Sequence, residues 1–271
     1  MEHVEVQGVA VPALGFGTWQ LKGRACYEGV RHALELGYRH IDTAQMYDNE
    51  HEVGRALRDA DVDRDEIFVV TKIPPRNLWP RDVHRSHDAS LQALGTDDVD
   101  LLLIHWPTRS VPLGATLEAM RELRDQGKAR HLGVSNFTPT LVDEALEHAA
   151  IVCNQVEYHP YLDQGSLVEQ AVERDLVLTA YSPLAKGRVL DDPTLEEIAQ
   201  VHGKTPAQVT LRWLIQQPNV AVIPRSSDRA HRAENVDVWD FGLSDDEMQR
   251  IDALQRGQRL IDPGFAPEWE T

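Results

Sequence analysis

Eight short apolar segments, each followed by an amphipathic stretch with helical spacing, recur along nearly the whole sequence of 271 residues. A strand that is apolar on both faces needs packing partners on both faces, which is typical of a parallel sheet covered by helices. We predict strands at 13–17, 38–42, 67–71, 99–105, 131–134, 151–156, 176–181 and 220–223. Helices are predicted at 25–36, 50–60, 81–94, 114–126, 138–149, 166–174, 193–202, 206–217 and 228–236.

The number of these units selects the fold class. Eight βα units in about 250 residues are typical of a (β/α)₈ barrel, also called a TIM barrel. Neither a linker nor an internal repeat divides the chain, so we predict one domain over residues 1–271 with a short carboxyl-terminal tail. Residues 4–11 alternate around a Gln-Gly pair, which predicts an amino-terminal β-hairpin that caps the barrel. A doubly wound sheet is the competing fold, but Gly15 and Gly17 are followed by Gln20 where its glycine fingerprint requires a third glycine.

Composition argues against several classes of partner. The net charge of −17 is opposite to the basic surface that nucleic acid requires. No apolar run is long enough to span a membrane, and the amino terminus lacks the features of a signal peptide. Cys26 and Cys153 occur in no paired motif, which is typical of free buried thiols. We therefore expect a cytoplasmic protein without membrane or nucleic-acid partners.

The acidic balance has two possible explanations. The chain carries 44 acidic residues against 27 basic ones, and only five of the basic residues are lysines. An acidic, lysine-poor surface is what adaptation to high salt would produce, since net charge maintains solubility there. A GC-rich genome would also replace lysine with arginine. A halophilic protein is thus one hypothesis and genome composition the other.

Titratable side chains lie where the predicted strands end, which is where barrels of this type carry their active residues. Asp42 ends the second strand, Lys72 follows the third and His105 ends the fourth, while Tyr47 lies in the loop after Asp42. A lysine fixed by Asp42 would favour the phenolate and so lower the pKa of Tyr47. Such a set can protonate a carbonyl oxygen and stabilise the developing alkoxide.

The same residues do not fit two other chemistries. They contain no nucleophile–base pair of the serine-protease kind. The twelve histidines are scattered and the zinc motif His-Glu-x-x-His is absent, so no metal site is predicted. The residues alone do not identify the source of a hydride.

Five motifs resemble those of the aldo-keto reductases. They are GYRHIDTAQMYDNE at 37–50, VDLLLIHWP at 99–107, GVSNF at 133–137, NQVEYHP at 154–160 and IPRS at 223–226. The resemblance extends over nearly the whole chain, and it is strongest to the bacterial and archaeal branch near diketogluconate and methylglyoxal reductases. It implies a monomeric barrel enzyme that binds an extended nicotinamide cofactor without a Rossmann domain.

The resemblance also implies roles for individual residues. Tyr47 would be the proton donor, Lys72 would lower its pKa, Asp42 would hold Lys72, and His105 would orient a small-molecule carbonyl substrate. Small aldehydes and dicarbonyls are the implied substrates. The substrate would contact Trp19, Tyr47, Trp79, His105 and Trp106.

The cofactor would be held along one side of the barrel mouth. By the same resemblance, Ser135, Asn136 and Gln155 would bind the nicotinamide carboxamide, and Tyr181 would stack under the ring, a role that suits its flat face. The other implied cofactor contacts are Gly17, Thr18, Trp19, Asp42, Ser182, Pro183, Leu184, Pro224, Arg225, Ser226, Ser227, His231, Glu234 and Asn235.

The phosphate end of this site departs from the family pattern. Members that prefer NADPH usually carry Lys-Ser after Ile-Pro, whereas this chain has Arg225 and Ser226. Arg225 can bind a phosphate bidentately. His231 stands where an arginine is usual and is mostly neutral at pH 7, with Arg229 and Arg232 as candidates to compensate. We expect NADPH to be preferred, with some use of NADH.

Three expectations remain open at this point. The segment 263–269 is a candidate to fold across the barrel mouth, although family members with tailored pockets use a longer loop. A redox-sensing subunit that holds the cofactor for regulation is an alternative to an enzyme. An aldolase that forms a Schiff base on Lys72 is a further, weaker alternative.

Overall fold

The amino-terminal segment folds as a two-stranded antiparallel hairpin in this computed structural model, which describes residues 2–269. Strand β1 (His3–Val6) and strand β2 (Val9–Pro12) are joined by Gln7 and Gly8, both with positive φ, as a tight hairpin turn requires. The Gln7 side chain donates to the carbonyl of Ile151, 2.9 Å away. The hairpin closes the amino end of the barrel, where its valines pack in one cluster: Val6, Val9 and Val11 with Val70, Leu101, Leu103, Val177 and Ala221.

Eight parallel strands form the barrel, and each pairs with its neighbours in chain order. They are β3 (Phe16–Gly17), β4 (His40–Asp42), β5 (Phe68–Ile73), β6 (Val99–Ile104), β7 (Ala129–Ser135), β8 (Ile151–Glu157), β9 (Val177–Tyr181) and β10 (Val220–Ile223). The first and last strands meet because Gly15 N donates to Val222 O at 2.8 Å and Gly17 N to Pro224 O at 3.0 Å. The predicted (β/α)₈ barrel and its hairpin cap are confirmed.

Helices cover the outer face of this sheet. They are α1 (Gly23–Glu35), α2 (Glu50–Arg58), α3 (Pro80–Leu94), α4 (Leu113–Asp125), α5 (Pro139–His148), α6 (Gly165–Glu173), α7 (Pro193–His202), α8 (Pro206–Ile215), α9 (Arg229–Val236) and α10 (Asp245–Asp252). Helix α10 was not predicted, although Ser244 and Glu247 form the capping box that marks its start in the sequence. Across residues 2–269, no helix combines the length and apolarity needed to cross a bilayer.

Helices α2 and α3 approach each other with backbone in contact. A Cβ atom added to Gly54 would lie 2.1 Å from the carbonyl oxygen of Leu94, the last residue of α3. Neither backbone can move away easily, since α2 follows the loop after β4 and α3 leads into β6. Glycine at 54 therefore permits the helix packing that sets the position of the β4 loop.

We predict that Gly54→Ala lowers the free energy of unfolding by about 3 kcal/mol, because overpacking against backbone cannot relax through a side-chain rotation. Gly29→Ala is the matched control. It also lies inside a helix, but its added Cβ would make only ordinary contacts of 3.5 Å with Leu21 and Phe16. Alanine there should raise stability by up to about 1 kcal/mol through helix propensity. Urea unfolding measures both, and equal effects of the two variants would contradict the packing argument.

Candidate active site

Four of the predicted side chains meet at the carboxyl rim of the barrel. Asp42 is the last residue of β4, Lys72 is the last but one of β5, and His105 directly follows β6. Tyr47 ends a short 3₁₀ turn, Gln45–Tyr47, in the loop after Asp42. Parallel strands place their carboxyl ends at the same edge of a sheet, which brings these side chains together.

Lys72 and Asp42 form a buried ion pair. Lys72 Nζ lies 2.6 Å from Asp42 Oδ1 and also donates to the carbonyl of Thr43 at 2.8 Å, while Gln155 Nε2 donates to Asp42 Oδ2 at 2.7 Å. Burial lowers the pKa of Lys72, and the carboxylate of Asp42 opposes that shift. The pair is held by hydrogen bonds on both partners, which is the condition under which buried charges are tolerated.

Tyr47 lies between this ion pair and His105. Its ring meets the imidazole of His105 edge-on, with centroids 5.5 Å apart, and Lys72 Nζ is 5.1 Å from its ring centroid. Burial, followed by the charge of Asp42 and the proximity of Tyr181, raises the pKa of Tyr47 well above its usual value. Burial is the main cause of this upward shift, and the effect predicted for Lys72 on this pKa stays a prediction. The phenol carries its proton at neutral pH.

His105 is also uncharged at neutral pH. Burial, assisted by the positive charge of Lys72, lowers the pKa of its imidazole well below 6.5. Its Nδ1 is buried and has no hydrogen-bond partner among the described residues. A neutral imidazole beside a protonated phenol provides two hydrogen-bonding groups without a net charge.

A polar network continues from the ion pair along the rim. Asn136 Nδ2 donates to the His105 carbonyl at 2.9 Å, and the Tyr181 hydroxyl donates to Asn136 Oδ1 at 2.7 Å. Ser135 Oγ donates to the Gln155 carbonyl at 2.8 Å. Asn136 has φ 64°, a left-handed conformation that asparagine tolerates better than most residues. The three residues predicted to bind a carboxamide and the tyrosine predicted to stack thus form one connected group.

These groups open into a cleft of about 1260 Å³ along the barrel mouth. Most of the site residues predicted from the sequence line it: Gly17, Trp19, Asp42, Tyr47, His105, Trp106, Ser135, Asn136, Gln155, Tyr181, Ser182, Pro183, Leu184, Pro224, Arg225, Ser226, Ser227, His231, Glu234 and Asn235. Thr18 and Lys72 are buried behind the lining, and Thr18 Oγ1 donates to the Asp42 carbonyl. Trp79, predicted as a substrate contact, does not line the cleft and is 54% exposed on the surface.

Other lining residues were not predicted. They are Gln20, Met46, Lys186, Gly187, Leu190, Thr205, Pro206, Ala207, Ile223, Asp228, Leu260, Ile261 and Asp262. Lys186, Gly187 and Leu190 could have been predicted, because they lie in the segment after β9, whose carboxyl end was already assigned to the site. Residues 260–262 give no such signal, since they are distant in sequence from every strand end, whereas Pro263, which also lines the cleft, begins the segment expected to fold across the mouth. The tail itself crosses the mouth, with Phe265 packed edge-on against Trp106 at 5.6 Å.

The far end of the cleft is lined by the loop between β10 and α9. Arg225 Nε donates to the carbonyl of Trp19 at 3.1 Å and so bridges two loops. Arg232 points away from the cleft, since its guanidinium is buried and donates to the carbonyl of Ser226 at 3.1 Å. Arg229 pairs with a glutamate of α1 instead. Neither Arg229 nor Arg232 lines the cleft.

Two other chemistries have no site in the part of the chain that is described. No group of three or more His, Cys, Asp or Glu side chains in residues 2–269 could hold a metal ion. Cys26 and Cys153 are free and buried, as predicted. Burial raises the pKa of both thiols to about 12, so neither is a thiolate at neutral pH.

A parallel eight-stranded barrel with a buried Lys–Asp pair, a phenol and an imidazole beside a long cleft is the arrangement of a barrel oxidoreductase. Residues 13–256 match the aldo/keto reductase family, and the chain belongs to this family. It is an oxidoreductase, and enzymes of this family generally use NADH or NADPH.

Named relatives cover almost all of the chain. It is 43% identical to an aldo-keto reductase of Mycolicibacterium smegmatis over 93% of both chains. It is 40% identical to the methylglyoxal reductase DkgB of Escherichia coli O157:H7, over 97% of this chain and 100% of that protein. The crystal structure of a protein provisionally named 2,5-diketo-D-gluconic acid reductase B superposes with a TM-score of 0.97 at 43% identity, covering 100% of this chain and 98% of the other.

We predict that Asp42→Asn lowers the free energy of unfolding by about 3–5 kcal/mol, because it leaves the buried ammonium of Lys72 without a counter-charge. Adding Lys72→Met to this variant should recover most of the loss, since both charges are then gone. The exposed pair of Asp65 with Arg130, 2.9 Å apart, provides the control, and Asp65→Asn should leave stability unchanged. Urea unfolding of all variants tests the ion pair. A double variant no more stable than Asp42→Asn would contradict it.

Proposed function

We propose that this enzyme reduces aldehydes and ketones to alcohols with NADPH, and that Tyr47 donates the proton to the carbonyl oxygen. One observation carries the proposal. Tyr47 reaches the cleft as a protonated phenol, flanked by the neutral imidazole of His105 and by the cation of Lys72. A general acid must hold its proton before the reaction, and the raised pKa of Tyr47 meets that condition.

The residues along the cleft fit a nicotinamide dinucleotide. The cleft volume of about 1260 Å³ exceeds that of most small-molecule sites and leaves room for an extended cofactor together with a carbonyl compound. Amide and hydroxyl groups of Ser135, Asn136 and Gln155 offer partners for a carboxamide, and Tyr181 offers a flat face beside them. At the other end Arg225 is an exposed cation suited to phosphate. The bound cofactor would supply the hydride.

The chain's own residues then orient and protonate the carbonyl oxygen. Neutral His105 donates a hydrogen bond that orients this oxygen towards the Tyr47 hydroxyl. The proton passes from Tyr47 Oη to the oxygen as negative charge develops there. Tyr47 is then a phenolate. Its ring centroid lies 5.1 Å from the ammonium nitrogen of Lys72. Lys72 therefore stabilises the product state of the proton transfer while Asp42 keeps the lysine charged and in place.

The substrates we propose are small aldehydes and dicarbonyls. The name of the methylglyoxal reductase relative supports this class. So do the aromatic side chains of Trp19 and Trp106, which line the same cleft as Tyr47 and offer apolar contacts to a carbonyl compound. An aldolase reaction on Lys72 is disfavoured, because its amine is fully buried and bonded to Asp42 and Thr43. The monomeric state, the cytoplasmic location, the single domain and salt adaptation stay predictions.

We predict that Tyr47→Phe lowers kcat for methylglyoxal and benzaldehyde by about 10²–10⁴-fold, because it removes the proton donor and little else. NADPH binding, followed by fluorescence, should be unchanged. Tyr27→Phe is the matched control, since its hydroxyl donates to the exposed Asp59 and Tyr27 does not line the cleft. The assay is the loss of reduced-nicotinamide absorbance.

Three results of this assay would change the proposal. Full activity in Tyr47→Phe would remove Tyr47 as the acid. Binding of NADPH by the unaltered enzyme without turnover of either carbonyl would favour the redox-sensing alternative or another substrate class. Failure to bind either nicotinamide cofactor would contradict the proposal as a whole.

Preference for NADPH over NADH should be moderate. Arg225 supports binding of the extra phosphate, but His231 stands where an arginine, which is always charged, is usual. Asp228 also lines the cleft, and backbone N–H groups of His231 and Ala230 lower the pKa of its carboxyl, which is therefore charged. A negative charge at this position opposes a phosphate. We therefore propose that the enzyme prefers NADPH and also uses NADH.

We predict that His231→Arg lowers KM for NADPH about five- to tenfold, the effect of one partly exposed charge-assisted hydrogen bond to the phosphate. KM for NADH should not change, since NADH lacks that phosphate. Arg229→Ala is the control, because Arg229 lies outside the cleft and should leave both values unaltered. An equal improvement with NADH would show that position 231 does not face the phosphate.

A further inference from the structure

The carboxyl-terminal tail, defined here as residues 256–269, returns from α10 to the carboxyl rim of the barrel. The amide of Gln258 donates to the carbonyl of Tyr161 at 2.8 Å. Residues 260–263 then line the cleft. Beyond them, the rings of Phe265 and Trp269 pack edge-on against Trp106, with centroids 5.6 and 6.3 Å away. The tail thus forms a wall next to the residue that follows His105.

One buried carboxylate holds this tail. Glu157, the last residue of β8, is fully buried. Its Oε1 accepts from the amide of Leu260 at 2.8 Å, and its Oε2 accepts from the amide of Ile261 at 2.9 Å. His159 Nε2 lies 3.2 Å from Oε1. Two consecutive tail amides are therefore bound by the two oxygens of one side chain.

The reaction proposed above makes no use of Glu157. A buried carboxylate costs free energy unless hydrogen bonds compensate it, and here the tail supplies two of them. Further contacts fix the same segment, because Lys186 Nζ donates to the Leu260 carbonyl at 3.1 Å and the guanidinium of Arg259 lies 3.7 Å from the ring centroid of Trp269. The position of Glu157 at a strand end makes it a fixed point on the barrel to which the tail is tied.

We propose that Glu157 is a positioning residue that ties the tail across the cleft and so fixes the wall that the distal part of the substrate contacts. This inference rests on the proposed reduction of carbonyl compounds in the same cleft. Glu157 sets which carbonyl compounds fit and takes no part in proton transfer. Its loss changes selectivity among substrates and leaves the chemistry at Tyr47 intact.

The first test measures the tie directly, without any activity. Hydrogen exchange is followed by NMR or mass spectrometry in the full-length protein and in Glu157→Gln, in which the side-chain amide keeps one acceptor oxygen and loses the charge. The amides of Leu260 and Ile261 should exchange about tenfold faster or more in the variant, as expected for loss of charge-assisted hydrogen bonds. Asp100→Asn, a buried carboxylate substitution near the amino end of the barrel, should leave both amides protected.

The second test measures selectivity. For Glu157→Gln, kcat/KM for benzaldehyde should fall roughly fivefold, the effect of losing about 40 Å² of apolar contact with the wall. Methylglyoxal is too small to reach that wall, so its kcat/KM and its kcat should be unchanged. Glu157→Asp, which keeps the carboxylate, should restore part of the benzaldehyde value. An equal loss for both substrates would overturn the proposal, because it would indicate general damage to the site.

A further variant keeps the test decisive if Glu157→Gln does not fold. Phe265→Ala loosens the same wall from the surface side and should reproduce the selective loss with benzaldehyde. Unchanged protection of the two tail amides in Glu157→Gln, or unchanged selectivity in both variants, would overturn the proposal. If the unaltered protein reduces neither aldehyde, the proposed function fails, while hydrogen exchange still decides whether Glu157 holds the tail.

Discussion

The site depends on an ion pair that water does not reach. Lys72 and Asp42 would each be costly to bury alone, and their attraction compensates only when the geometry is tight and the remaining hydrogen-bonding capacity is used. Here the carbonyl of Thr43 and the amide of Gln155 complete the pair. Because these groups come from β4, β5 and β8, the pair forms only when both sides of the barrel are in place.

Burial is the main cause of the raised pKa of the neighbouring Tyr47, and the charge of Asp42 adds to it. A lone lysine would favour the phenolate of Tyr47, but Asp42 lies 2.6 Å from the lysine and opposes that effect. In the proposed reaction, the ammonium of Lys72 becomes effective when negative charge develops on the phenol oxygen of Tyr47 as its proton leaves. An interaction that strengthens during the reaction lowers the barrier, whereas one already present in the resting enzyme does not.

Much of this arrangement could be predicted from sequence because its signals are local. Alternating apolar and amphipathic segments indicated the barrel, and polar residues at strand ends indicated Asp42, Lys72 and His105. The sign of the pKa shift at Tyr47 could not be predicted, because burial is its main cause and the sequence does not show how deeply the ring is buried. Arg232 is one residue from His231, yet the helix turns about 100° between them, so only packing decides which one faces the cleft.

The rim of the barrel contains two buried carboxylates that are compensated in different ways. Asp42 is balanced by a lysine, and the resulting pair is set beside the reacting groups. Glu157 is balanced largely by backbone amides from a segment about 100 residues later in the chain. A strand end is a rigid place for either, since the barrel fixes the backbone on both sides. If the two proposals hold, the same scaffold supports the acid with one carboxylate and the substrate wall with the other, so the wall can vary without disturbing the acid.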